Sequence, residues 1–171
     1  MRYALAQRFP DQKKCHWEFI QTPDSVPQVT NLPENTYLSL SHSNKLICFA
    51  IATCRIGIDL EEKKQRNFPE FANTIMNHEE FEYFSHLEDD QVNFFYRCWC
   101  AKEACYKALS KKHQSTISLK AISIFDLSNK TKDWFLLEHE LEDYALAVVS
   151  QHELSNASDQ FYWFNTAVNE N

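Results

Sequence analysis

A single glycine, Gly57, serves the whole of this 171-residue chain. Average usage would supply about a dozen. That one count excludes every phosphate cradle built from glycine-rich backbone, since GxGxxG, Walker A and GxSxG each need at least two. It also excludes collagen-like and Gly/Ser-linker character. Any anion bound by such a chain must be held by side chains, helix ends or metal. The chain nevertheless has material for a core: 44% of residues are hydrophobic and 14% aromatic, the opposite of a disordered composition.

The remaining composition narrows the setting. The formal charge of −7 is unevenly spread, because residues 133–171 hold eight acidic side chains and no Lys or Arg, leaving residues 1–132 at +1. The overall sign argues against non-specific nucleic-acid binding. A basic cluster at Lys102, Lys107, Lys111 and Lys112 still allows a local anion site. None of the six cysteines forms a CxxC pair and none has zinc-site spacing with histidine, so buried free thiols in a reducing compartment are expected. No apolar run reaches the roughly 18 residues that span a bilayer. No apolar signal-peptide stretch follows the first residues, and a cytoplasmic location without membrane contact is expected.

The pattern along the chain predicts an α+β fold, with an antiparallel sheet packed against one long helix. Residues 1–15 read as helix and 22–35 as a proline-punctuated loop. Residues 37–40, 45–52 and 56–61 read as strands, and 71–87 as a helix with Pro69 near its start. Residues 91–110, free of Gly and Pro, give the strongest helix signal. Strand-like runs follow at 115–125, 134–140, 144–149 and 161–166.

Two segments carry chemistry. On the strand Gly57-Ile58-Asp59-Leu60-Glu61, residues i and i+2 share a face, so Asp59 and Glu61 point together while Ile58 and Leu60 face the core. Paired carboxylates repel unless something positive lies between them. A hard divalent cation such as Mg²⁺, held by one or two carboxylates plus substrate phosphates, suits them; a lone DxE is more often a solvated sheet face. On the long helix, Trp99, Glu103 and Lys107 at i, i+4 and i+8 climb one face, and the Glu103–Lys107 order favours an ion pair. Taken alone this is a surface pair worth a few tenths of a kcal/mol.

Together the segments resemble the paired signature of the 4′-phosphopantetheinyl transferases, a G-(I/V)-D-(I/V/L)-E strand and a W-x-x-K-E-A-x-x-K helix. Here Glu103 stands 44 residues after Asp59. Ser41-His42-Ser43, followed by an apolar strand, and Asn31-Leu32-Pro33-Glu34 resemble the surfactin-type branch. The resemblance covers about residues 15–150. It implies the fold of that family with a complete second half and a reduced first half: a 1–54 subdomain with the Ser-His-Ser segment and a 55–171 transferase subdomain.

It further implies transfer of the phosphopantetheine arm of coenzyme A to a serine of an acyl, peptidyl or polyketide carrier protein, with adenosine 3′,5′-bisphosphate released. Asp59, Glu61 and Glu103 would hold Mg²⁺ and Glu103 would activate the serine. Lys107, with Lys102 beside it, would contact the phosphates. His42, with Ser41, would contact the coenzyme A 3′-phosphate. Trp99 would be core packing. The carrier would dock near Lys102–Lys112.

Departures from the pattern are as telling. The usual Gly-Lys-Pro turn is Asp24-Ser25-Val26-Pro27, the glycine after Ser-His-Ser is Asn44, and the glycine loop after Lys107 is Ser110-Lys111-Lys112-His113. These losses motivate a competing reading, a relative that binds coenzyme A or a carrier without transfer. A second alternative, a Mg²⁺-dependent nuclease, rests on Asp59 and Glu61-Glu62-Lys63, and the net charge opposes it. His78-Glu79-Glu80 lacks the second histidine of a zinc-protease motif, and Ser41-His42-Ser43 is no catalytic triad, because neighbours on a strand point apart.

Overall fold

The computed structural model describes residues 1–21, 27–129, 133–141 and 143–154. A first helix, α1 (Arg2–Arg8), leads through a 3₁₀ turn to a two-residue ribbon, β1 (Phe19–Ile20) and β2 (Gln28–Val29). A hairpin follows, β3 (Tyr37–Ser43) with β4 (Leu46–Ala52), and then β5 (Ile56–Glu62). Helices α2 (Phe68–Ile75), α3 (His78–His86), α4 (Gln91–Ala108), α5 (Lys111–Gln114) and α6 (Ile124–Ser128) precede the closing strands β6 (Phe135–Leu141) and β7 (Tyr144–Ser150). β5, β7 and β6 form an antiparallel sheet in that order, with β7 central. Among the described residues no helix is long and apolar enough to cross a membrane.

The α+β expectation matches this mixed, antiparallel architecture, with two local corrections. The helix expected over 71–87 is two helices, broken at Met76-Asn77. There Asn77 closes a capping box: its side chain accepts from the Glu80 amide at 2.9 Å, and the Glu80 carboxylate accepts from the Asn77 amide at 2.8 Å. A reciprocal cap of this kind starts a new helix more favourably than Asn77 could continue an old one. The run 115–125 is not a strand but a 3₁₀ turn and the start of α6, whose N-cap is Ser123. The strand expected over 161–166 lies outside the described residues.

Two apolar layers flank the sheet. Ile56, Ile58 and Leu60 pack with Leu146 and Val148 on one face. On the other, Phe95, Cys98, Ala101, Ala104 and Cys105 of α4 pack with Ala145, Ala147 and Val149. Gly57, Asp59 and Glu61 therefore lie on the helix side of β5. Gly57 explains how close the helix comes. A Cβ there would stand 1.9 Å from the Ala104 carbonyl oxygen and 2.8 Å from the Ala108 amide nitrogen. The glycine is required for backbone-to-backbone approach rather than for a turn, since it does not have positive φ.

The hairpin joins this sheet by side chains instead of a backbone ladder. On the outer edge of β5, the amides of Ile58, Leu60 and Glu62 donate to the hydroxyl oxygens of Ser39, Ser41 and Ser43, at 3.0, 3.3 and 3.0 Å. Alternate residues of a strand point to one side, so the Ser-x-Ser-x-Ser run of β3 satisfies an otherwise open strand edge. The turn of the hairpin is Asn44-Lys45, and Asn44 takes φ 52°. Asparagine tolerates this left-handed conformation better than most residues, so it fills the place where the family pattern has glycine.

Candidate functional site

Where α4 crosses β5 and β3, a cleft of about 240 Å³ opens, lined by Leu40, Ser41, His42, Asp59, Glu61, Trp99, Glu103 and Lys107. Its position follows from Gly57. Close approach at Ala104 and Ala108 places the adjacent Glu103 and Lys107 beside Asp59, two residues along the same face of β5.

Asp59 is the centre of the arrangement and is only 3% exposed. Its Oδ1 accepts from the Ser41 hydroxyl at 2.8 Å and from the Lys107 ammonium at 2.7 Å. Its Oδ2 is buried with no hydrogen-bond partner. Lys107 was expected to pair along the helix with Glu103. It is drawn instead to Asp59, and it also donates to the Ile58 carbonyl at 3.4 Å. Glu61 accepts from Ser43 Oγ at 3.3 Å. Burial, and then the charge of Asp59, push the carboxyls of Glu61 and Glu103 up from their ordinary range. The same effects hold the Cys100 thiol well up, so it stays neutral against this acidic side of the helix.

The donor set fits a hard divalent cation. Asp59, Glu61 and Glu103 supply carboxylate oxygens, and an orphaned buried oxygen such as Asp59 Oδ2 is costly without a positive partner. Among the described residues no three His, Cys, Asp or Glu side chains form a ready-made cage. An open arrangement is what Mg²⁺ uses when substrate phosphates complete its coordination. Lys107 supplies the positive charge that Asp59 keeps in this state.

Six of the seven site residues expected from the sequence line this cleft, and Lys102 does not. Lys102 is fully buried on another face of α4. Its ammonium pairs with Glu80 at 2.7 Å, both side chains being inaccessible, and donates to the carbonyls of Leu119 and Ile122. Its charge is satisfied inside the core, away from the cleft. Ser41 lines the cleft but is committed within the fold. It is 6% exposed, and its hydroxyl accepts from the Leu60 amide and donates to the Asp59 carboxylate. His42, one residue on, is exposed at the cleft. Trp99 packs on Phe95 with ring centroids 5.7 Å apart, as expected, and also walls the cleft. The basic cluster is dispersed: Lys107 faces the cleft, Lys111 and Lys112 are exposed on α5, and Lys102 is inside.

A second groove, between α4 and the β6–β7 hairpin, holds charges that neutralise one another. Arg97 grips Glu138 through two bonds of 2.8 and 2.9 Å, and Lys63 pairs with Glu140. It presents no free charge comparable to the Asp59 cleft.

The sequence pattern did not assign the contacts that Ser39 and Ser43 make with β5 or the pairing of Glu80 with Lys102. The alternation of serines on β3 was the available signal for the first two, and the Asn77-x-x-Glu80 spacing for the third.

The family model described as the 4′-phosphopantetheinyl transferase superfamily matches residues 55–157, a span that holds Gly57, Asp59, Glu61, Glu103 and Lys107. A protein of Haemophilus influenzae (strain ATCC 51907 / DSM 11121 / KW20 / Rd), whose name provisionally places it among the 4′-phosphopantetheinyl transferases, is 35% identical over 82 residues. That match covers 45% of this chain and 34% of the relative, so the chain aligns with about a third of the relative's length.

Proposed function

The chain belongs to the 4′-phosphopantetheinyl transferase superfamily, and from that premise we propose that it transfers the phosphopantetheine arm of coenzyme A to a serine of a carrier protein, with Mg²⁺ and with release of adenosine 3′,5′-bisphosphate. The observation that carries the proposal is the convergence of Asp59, Glu61, Glu103, Lys107 and His42 on one cleft. In this reading Asp59, Glu61 and Glu103 would hold the cation. Bound Mg²⁺ supplies charge neutralisation at the phosphates.

Phosphoryl transfer of this type is mainly positioning and electrostatics. The serine oxygen of the carrier bonds to the phosphorus bearing the pantetheine arm. The bond from that phosphorus to the bridging oxygen breaks, and the nucleotide leaves with the electron pair. Glu103 takes the serine proton, directly or through water. Lys107 moves from Asp59 towards the phosphates and offsets the charge on the leaving oxygen. His42, at the cleft edge, contacts the 3′-phosphate, so His42→Ala should raise the KM for coenzyme A more than it lowers kcat.

The reading is tested by incubating the protein with coenzyme A, Mg²⁺ and a panel of apo carriers from fatty-acid, polyketide and peptide synthesis, and reading the carrier mass. Addition of the arm to any of them supports it. Coenzyme A binding by calorimetry with no transfer to any carrier would favour the non-catalytic alternative.

A further inference from the structure

We propose that Ser41 is a positioning residue that fixes which oxygen of Asp59 is offered to the cation; this rests on the metal reading given under Proposed function. Three serines on β3 are placed alike, and each hydroxyl oxygen accepts one β5 amide. A hydroxyl has a single proton. With its oxygen engaged by the Leu60 amide at 3.3 Å, the Ser41 proton goes to Asp59 Oδ1 at 2.8 Å. Lys107 bonds the same oxygen at 2.7 Å. Both donors therefore fall on Oδ1, and Oδ2 keeps its lone pairs.

Ser43 repeats the geometry one pair along, giving its proton to Glu61 at a looser 3.3 Å on a less buried site. Ser39, by contrast, faces Gly57-Ile58, where β5 offers no carboxylate. The β3 strand thus does two things with one residue pattern. It closes the edge of β5, and at Ser41 it orients the carboxylate that the edge carries. The exposed His42 between Ser41 and Ser43 ties the same strand to the mouth of the cleft. Hydrogen bonds that orient a ligating carboxylate affect metal affinity about 10- to 100-fold when removed.

Ser39 provides the internal control. Ser39→Ala and Ser41→Ala each remove one acceptor from a β5 amide, so both should lower the Tm, Ser41→Ala by more because it also loses the bond to Asp59. Mn²⁺ is titrated into the full chain without coenzyme A, with free ion read by electron paramagnetic resonance and folding checked by circular dichroism. Ser41→Ala should bind Mn²⁺ about tenfold more weakly or worse. Ser39→Ala should stay within about twofold of the native protein, and Ser41→Thr, which keeps a hydroxyl, should recover most of the affinity. Should Ser41→Ala not fold, Ser41→Cys replaces it, because a thiol is a weak donor. Equal Mn²⁺ affinity in Ser41→Ala and Ser39→Ala overturns the proposal and leaves the metal reading standing. Absence of Mn²⁺ binding by the native protein, both in this titration and in a repeat with coenzyme A present, overturns both.

Discussion

Gly57→Ala is the substitution whose effect the structure fixes most tightly. The added Cβ meets the Ala104 carbonyl oxygen at 1.9 Å, short of ordinary contact at 3.4 Å by about 1.5 Å, and the Ala108 amide nitrogen at 2.8 Å. Both obstacles are main chain, so no rotamer change relieves them and α4 must move bodily. Overpacking in a core costs about 1–3 kcal/mol when side chains can adjust; with backbone on the far side, at least about 3 kcal/mol is expected. For a chain of this size each kcal/mol lowers Tm by about 2–4 °C, which gives a drop of about 6–12 °C. A thermal melt followed by circular dichroism measures it. Ala104→Gly should not rescue the variant, because the blocking oxygen belongs to the backbone. Since α4 carries Glu103 and Lys107 to Asp59, transfer should fall more than the lost folded fraction explains. A Gly57→Ala protein melting within about 2 °C of the native one would refute the reasoning that close helix approach is why this glycine is kept.

Other perturbations follow from the same geometry. Lys102→Met leaves Glu80 charged and wholly buried, and should cost about 3–5 kcal/mol in denaturant titration, with Glu80→Gln in the same chain recovering part of it. Lys107→Met removes the cation that Asp59 keeps; the metal-free Tm should fall, added Mg²⁺ should raise it more than in the native protein, and transfer should be lost. Glu61 and Glu103 have native proton affinities raised above the ordinary value of 4.5. The native state therefore retains protons that the unfolded chain has released, so their contribution is fully present below about pH 4.5 and is lost as pH rises through the raised values. Equilibrium unfolding across that range should show stability falling with pH, and Mg²⁺ should stabilise more at pH 7.5 than at pH 5. The reverse order would contradict the assignment of these carboxylates to one electrostatic site.

What was legible in the sequence came from short-range rules. The period-2 pattern of Ile56–Glu61 and the Gly- and Pro-free run of 91–110 specify their own elements, and the i, i+2 and i, i+4 spacings put Asp59 with Glu61 and Glu103 with Lys107. What those spacings could not express was the partner across the gap. Lys107 reads as the helix neighbour of Glu103, but a buried aspartate on β5 attracts it more strongly. Lys102 reads as part of a basic cluster because Lys107, Lys111 and Lys112 follow it. Its position four residues after Cys98 places it instead on the buried side of α4, and Glu80, which waits there, is 22 residues earlier in the chain. The Ser-His-Ser segment drew attention to its histidine, whereas its serines are committed to β5. The helix break at Asn77 was visible as a capping box but lay inside an apolar rhythm that ran through it.

In the proposed function one cleft, assembled by Asp59, Glu61, Glu103 and Lys107, performs the transfer. Its most direct test is peptide mapping by mass spectrometry of an apo carrier incubated with coenzyme A and Mg²⁺, run beside a Glu103→Gln protein shown by circular dichroism to be folded. The phosphopantetheine arm is expected on a carrier serine with equimolar release of adenosine 3′,5′-bisphosphate, and both should be lost on chelation and in Glu103→Gln. Transfer by folded Glu103→Gln at the native rate would contradict the proposed function.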